Sequence, residues 1–277
     1  MKKLFALALA CAMTLSLVSC GSSSSTPSGS GTSSDAARTQ LIVGFDAEYP
    51  PYGYMDDSGN YVGFDLDLAA EVCDRNSWEL VLQPIDWNSK DMELSSGAID
   101  CIWSGFTIQG REDDYAWTDP YVDNSIVIVV RSDSGIETKD DLAGKIVCTQ
   151  ADSSALSALT SEEDNDENLA LAATFKDLQQ VADYNTAFMD LESGMVDAIA
   201  VDIGVAQYQI TSRGDKFKML DEPISTEQYG VGFRLTDTDL RDTVNSTLLD
   251  MAKDGTVDKI AANYADYNLP EMVCLGK

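Results

Sequence analysis

From residue 41 onward, short apolar runs alternate with stretches whose apolar residues recur at helical spacing. Leu41-Ile42-Val43-Gly44-Phe45 reads as a buried strand that ends in a Pro-stiffened aromatic loop, Asp46 to Tyr54. A helix is predicted from about Asp65, because Phe64, Leu68, Val72 and Cys73 share a face. Trp78 to Ile85 reads as a strand, and Ser89 to Ser96 as a short helix with Ser89 at its N-cap and Gly97 as its stop. Ile99 to Trp103 is a second apolar strand, and Ser125 to Val130 holds the longest β-branched run. The pattern then predicts a capped turn over Thr138 to Leu142, a strand over Lys145 to Thr149 and a helical segment over Ala155 to Leu159. A solvated acidic loop from Glu162 to Asn168 and a strand over Leu169 to Phe175 follow. Asn185 to Ser193 reads as a helix and Val196 to Val201 as a strand. Asp239 to Lys253 puts Leu240, Val244, Leu248 and Met251 on one face, and Val257 to Tyr264 is a last helix. Strands alternating with helices place the chain in the α/β class with mostly parallel sheets.

One motif occurs twice. Leu94 to Ile102 and Leu191 to Ile199 share the pattern L-x-S-G-x-[IV]-D-x-I: a helix end, a glycine stop and a buried strand. The repetition predicts two similar lobes. Open α/β sheets bind ligands at the carboxyl ends of their strands, so the residues following each copy become candidates. Ser104, Thr107 and Arg111 follow the first copy, and Asp202 follows the second. An arginine holds a carboxylate through two parallel hydrogen bonds. If the lobes face each other, Arg111 and Asp202 provide the minimum chemistry for gripping the carboxylate and the ammonium of a free amino acid. Ser153-Ser154, at a predicted helix start, would add N–H donors to the carboxylate. Plainer readings compete: Arg111 pairing with Glu112 or Asp113 on the surface, and Asp202 serving as a helix N-cap.

The start of the chain changes the picture. Lys2-Lys3 precedes an apolar run from Leu4 to Val18, a secretory signal too short to span a bilayer comfortably. Its ending, Leu17-Val18-Ser19-Cys20-Gly21, resembles a bacterial lipoprotein signal, which implies cleavage before Cys20 and lipid on its sulfur. Residues 1–19 are therefore expected to be a signal peptide, and residues 20–39 a lipidated cysteine with a Ser/Gly-rich flexible linker. No later stretch is long and apolar enough to span, so the lipid would be the only membrane anchor. Net charge is −29, which excludes nucleic acid as a partner. Histidine is absent, and Cys73, Cys101, Cys148 and Cys274 form no C-x-x-C pair. No metal and no cofactor are expected. Cys73 and Cys101 could pair outside the cell, but their spacing does not decide it.

With these stretches in view, Leu41 to Tyr267 resembles the extracytoplasmic solute-binding proteins of ABC amino-acid importers, the group of the lysine/arginine/ornithine-, histidine- and glutamine-binding proteins. The resemblance rests on D-A-E-Y-P-P-Y, G-F-D-L-D-L-A, the S-G-F-T-I…R run, W-T-D-P-Y, V-D-A-I-A-V-D and G-V-G-F…D-G-T-V-D-K-I-A taken together. It implies a two-lobe periplasmic-binding-protein-like fold of type II, each lobe a mostly parallel sheet flanked by helices. Lobe 1 would hold 40–125 plus 223–277 and lobe 2 would hold 126–222, with hinge crossings near 126–130 and 222–228. It further implies that Arg111 binds the α-carboxylate with Thr107 and Ser153 or Ser154, and that Asp202 binds the α-ammonium with Ser104 and Gly105 beside it. Tyr49 and Trp87 would pack on the ligand side chain, and Asp46 would stand near its distal end. Two departures stand out: Ile108-Gln109-Gly110-Arg111 is one residue shorter than the family's usual T-P-E-R run, and Asp152 replaces a common glycine.

The expected function is capture of a free polar amino acid for an ABC importer's permease subunits, by a monomer lipid-anchored at the outer face of a bacterial cell membrane. Arginine, lysine or histidine is slightly ahead of glutamine or cystine. The rivals are an enzyme on the same fold, a dehydratase or transglycosylase with Glu48 as its acid, and a sensory ligand-binding module. The sensory reading is disfavoured because the chain ends at Lys277 with no membrane-spanning signalling segment.

Overall fold

The computed structural model describes residues 38–161 and 166–277. The expected signal peptide, Cys20, the linker up to residue 37 and the head of the acidic run lie outside these residues.

The predicted alternation resolves into two sheets. In the first, Gln40–Phe45 lies between Glu79–Pro84 and Cys101–Ile102, parallel to both, and Gly232–Phe233 and Ala116–Trp117 extend it antiparallel. In the second, Ile146–Gln150 lies parallel to Asp177–Val181 and Ala198–Asp202. The long strand Val122–Arg131 then pairs antiparallel with Ala198–Asp202 on one edge, and with Phe217–Met219 and Ser225–Tyr229 on the other. Each sheet therefore has a parallel three-stranded centre built from helix-linked strands, flanked by antiparallel strands that return or cross. A small three-stranded ribbon, Glu48–Tyr49, Gly53–Met55 and Tyr61–Val62, is built from the aromatic loop and the turn after it.

The helices cover the sheets with the faces the periodicity marked. Phe64, Leu68, Val72 and Cys73 of Phe64–Asn76 are buried, as are Leu240, Val244, Leu248 and Met251 of Thr238–Lys253. Ile99, Cys101, Ile102 and Trp103 are buried, and Asp100 between them is partly exposed. The predicted turn at Thr138 is a 3₁₀ helix, Lys139–Leu142, with Thr138 and Asp141 closing a capping box. Cys73, Cys101, Cys148 and Cys274 are all free thiols.

Three local expectations need correction, one of them the last helix: Val257 to Tyr264 divides into Thr256–Ala261 and the 3₁₀ segment Ala262–Tyr267, and Leu269–Met272 follows. Leu169 to Phe175 is not a strand: Asp166–Ala172 is helical, so the acidic loop also ends before Asn168. A short apolar run rich in alanine suits a helix as well as a strand, and alanine is the strongest helix former. The strand of that region is Asp177–Val181, at a sheet edge with only Leu178 and Val181 apolar. The helix Ile203–Arg213 was not anticipated, because its β-branched residues and Gly204 obscure its period.

The repeated motif is a structural repeat in detail. Gly97 and Gly194 end their helices at φ 80° and 81°, a left-handed turn that glycine adopts without penalty. Asp100 accepts from the Ile42 N–H at 2.8 Å, and Asp197 from the Ile146 N–H at 2.9 Å. Arg234 donates to the carbonyls of Leu94 and Ile99, and Arg131 donates to those of Leu191 and Val196.

Candidate functional site

Four central strands end at one place. Asp46 follows Gln40–Phe45, Ser104 and Gly105 follow Cys101–Ile102, Gln150 ends Ile146–Gln150, and Asp202 ends Ala198–Asp202. These carboxyl ends bring together Asp46, Tyr49, Trp87, Ser104, Gly105, Thr107, Arg111, Ser153, Ser154 and Asp202 around a small, nearly filled cavity. All ten site candidates from the sequence line it, with Gln150 added.

Arg111 does not pair with Glu112 or Asp113. Its guanidinium donates to the carbonyls of Thr107 (3.4 Å) and Asp152 (3.3 Å) and lies 5.3 Å from the centre of the Phe106 ring. Both bonds are longer than good N–H···O bonds, which leaves donor capacity for a carboxylate. Asp202 sits at the N-cap position of Ile203–Arg213, yet its side chain makes no capping bond. It is buried, and its Oδ1 instead accepts from Asn124 Nδ2 (2.8 Å) and the Tyr229 hydroxyl (2.5 Å). Burial raises its pKa above the ordinary carboxylate value.

Sequence reasoning missed the group at the centre of this network. Glu227, buried on Ser225–Tyr229, accepts at one oxygen from Thr107 Oγ1 (2.7 Å), Asn124 Nδ2 (2.8 Å) and Ser154 Oγ (3.0 Å). The hydroxyls of Thr107 and Ser154 are thus already engaged by a carboxylate of the chain. Burial, and then the charge of Asp202, push Glu227 up to about 7. The available signal was its place two residues before the buried Tyr229, on the same face of a strand. Gln150 could have been found by the strand-end rule that selected Asp202.

The remaining candidates hold the wall. Ser153 caps Ser154–Thr160, accepting from the Leu156 N–H (3.1 Å) and donating to the Gln150 carbonyl (2.7 Å). Ser104 Oγ accepts from the Asp46 N–H (3.0 Å), and the Gly105 N–H donates to buried Asp65 (2.6 Å). Gly105 has φ +54°, and a Cβ there would collide with the rings of Tyr49 and Tyr229. Tyr49 is buried and stacks on Tyr52 at 5.6 Å. The Trp87 indole stands edge-on to Phe106 and donates to the Asp152 carbonyl (3.1 Å). Asp46 accepts from Gln150 Nε2 (2.7 Å) and the Glu48 N–H (2.8 Å); burial outweighs these bonds and raises it to about 6. Asp46 and Trp87 also border a wider, open groove that carries Glu48, Asp86, Glu93 and Asp183. Glu48, the acid nominated for an enzyme, is exposed and accepts from Asn185.

Among the described residues, Arg111, Asp46, Asp202 and Glu227 take part in no ion pair. The cavity therefore presents a guanidinium to an anion and desolvated carboxylates to a cation. Also among the described residues, no group of three or more Cys, Asp or Glu side chains is arranged to hold a metal ion. No helix among them is long and apolar enough to cross a membrane.

Comparison with known proteins gives the same direction. The arginine-binding extracellular protein ArtP of Bacillus subtilis (strain 168) is 30% identical over 263 residues, spanning 94% of this chain and 96% of the relative. The L-cystine-binding protein TcyJ of Escherichia coli (strain K12) is 29% identical over 230 residues, 82% of this chain and 83% of the relative. An ABC uptake transporter substrate-binding protein from Streptococcus pneumoniae, solved with bound histidine, has a TM-score of 0.75 at 30% identity, covering 81% of this chain and 92% of that one. Residues 41–267 match the profile of the bacterial extracellular solute-binding proteins, family 3, and with the two-sheet fold and the cavity at its strand ends this chain belongs to that family.

Proposed function

We propose that the protein captures one free polar amino acid between its lobes and delivers it to the permease subunits of an ABC importer, with a basic amino acid favoured over glutamine or cystine. The observation that carries this reading is the cavity's charge pattern: Arg111 and Asp202, each without an oppositely charged partner among the described residues, line the same cavity. Arg111 would take the α-carboxylate, and Asp202 the α-ammonium. Tyr49 and Trp87 would pack on the side chain, and Asp46, backed by the acidic groove, would meet a cationic end. The partition of the strands between two sheets supports lobes at 40–125 plus 223–277 and at 126–222, with Val122–Arg131 and Ser225–Tyr229, both in the second sheet, crossing the boundary. The hinge would be the two crossing segments, which pair from Ser225↔Ile126 to Tyr229↔Val122. The protein acts as a binding protein and not as an enzyme, tethered through a lipid on Cys20 outside the bacterial cell membrane.

The test is thermal unfolding of the protein with each of the twenty amino acids, ornithine and cystine. A ligand at a hundred times its dissociation constant adds about 2.7 kcal/mol, a rise of roughly 5–10 °C for a chain of this size. A rise with arginine, lysine, ornithine or histidine is expected. No rise with any compound would overturn the capture reading.

A further inference from the structure

Asp152 is the residue that departs from the glycine expected in the resemblance, and it keeps the backbone conformation that glycine favours, φ +58°. Asp and Asn are the side chains that best tolerate this region, but a residue held there needs a compensating contact. Its carboxylate forms an ion pair with Lys90, whose ammonium is buried: the Lys90 side chain is 2% exposed, against 50% for Asp152. Lys90 also lies over the Trp87 ring, 5.1 Å from its centre. The main chain of Asp152 is gripped from the same side, its carbonyl accepting from Trp87 Nε1 (3.1 Å) and Arg111 Nη2 (3.3 Å).

Trp87, Lys90 and Arg111 belong to the segments around the first sheet. Asp152 sits on the turn that follows Ile146–Gln150 of the second sheet. Every one of these contacts therefore crosses the cleft. Neither Lys90 nor Asp152 lines the ligand cavity; both line the neighbouring groove outside it. Opening the lobes would strip a buried ammonium of its counter-ion and release Trp87 and Arg111 from their common acceptor. A contact made only in the closed form shifts the population toward that form.

We propose that Lys90 and Asp152 form a charged clasp across the cleft that holds the lobes shut and seats Trp87 and Arg111 against the cavity, so that ligand affinity depends on two residues the ligand does not touch. The affinity part rests on the capture reading above; the closure part does not.

The experiment compares Lys90→Met, Asp152→Asn, the double variant and the conservative Lys90→Arg. Thermal unfolding first establishes that each is folded. Small-angle X-ray scattering without amino acid then reports lobe closure, and stopped-flow Trp fluorescence with L-arginine and with L-glutamine gives association and dissociation rates. Each single charge removal is expected to enlarge the radius of gyration and to weaken binding about tenfold, within the usual range of coupling between sites. The loss should fall mainly on the dissociation rate. The double variant should be no worse than either single one, as for residues that act as a pair, and Lys90→Arg should behave as the parent. Parent-like scattering and affinity in Asp152→Asn, or additive losses in the double variant, would overturn the clasp. If the parent binds neither amino acid, the capture reading suffers, and the scattering comparison still decides whether the clasp closes the lobes.

Discussion

Arg111 holds its charge at the cavity edge on two long bonds to main-chain carbonyls, which leaves donor capacity that the proposed capture reading assigns to a ligand carboxylate. Removing it should cost ligand affinity far more than fold stability, because it is half-buried and no carboxylate of the described chain depends on it. For Arg111→Ala the expected loss is about 2–5 kcal/mol of binding, the cost of leaving a desolvated carboxylate unpaired. Calorimetric titration with the amino acid that most raises the unfolding midpoint checks it, and parent-like affinity would remove Arg111 from the site. At this scale the sequence was informative about residue types and poor about engagement. Thr107 and Ser154 could be named from their positions, but their bonds to Glu227 lie 120 and 73 residues away along the chain. No local pattern announces such a partner.

The recurring element is the helix–glycine–strand joint. Its glycine and aspartate are explained by one geometry: a left-handed helix end, then a carboxylate that accepts from an N–H of the neighbouring parallel strand. Asp197→Ala would leave the Ile146 N–H without its acceptor, at a cost of about 1–3 kcal/mol, or a fall of roughly 2–10 °C in the unfolding midpoint. Asp197→Asn, which keeps an acceptor oxygen, should recover most of it in the same melt. An Asp197→Ala midpoint equal to the parent's would mean that the shared aspartate is incidental. The motif was visible in the sequence as a repetition, yet Arg131 and Arg234 were not, since both reach the joint from other strands or loops. Elements without a strong period were misread for a related reason. Leu169 to Phe175 is apolar and short, and only its packing beside the second sheet selects the helix Asp166–Ala172.

For the molecule as a whole, buried acids set the response to pH. Burial raises Asp46 to about 6, and Asp65 and Glu227 to about 7. These folded values exceed the unfolded ones, so between about pH 4 and pH 7 the folded chain holds more protons than the unfolded chain. The resulting stability is present at the acid end and lost as pH rises through the folded values. The net charge of −29 acts in the same direction, since self-repulsion grows as carboxyls ionise. The unfolding midpoint is therefore expected to fall from pH 5 to pH 8, and Asp65→Asn, outside the ligand cavity, should flatten that slope. A midpoint that rises over this interval would contradict the assignment of these acids as buried and proton-holding.

The amino-acid sequence by itself determined the α/β alternation, the doubled joint and the cavity positions at strand ends and a helix start, Ser104, Gly105, Thr107, Arg111, Ser153, Ser154 and Asp202; Asp46, Tyr49 and Trp87 came only through the family resemblance. Periodicity, glycine stops and strand ends are local properties, written within a few residues of each other. Only the tertiary structure decided that Glu227, Asn124 and Gln150 join those residues, and that Lys90 reaches Asp152. Those contacts link segments 62 to 120 residues apart. Their existence depends on how two sheets meet, and desolvation at that meeting, rather than residue type, gives these carboxylates and this lysine their roles.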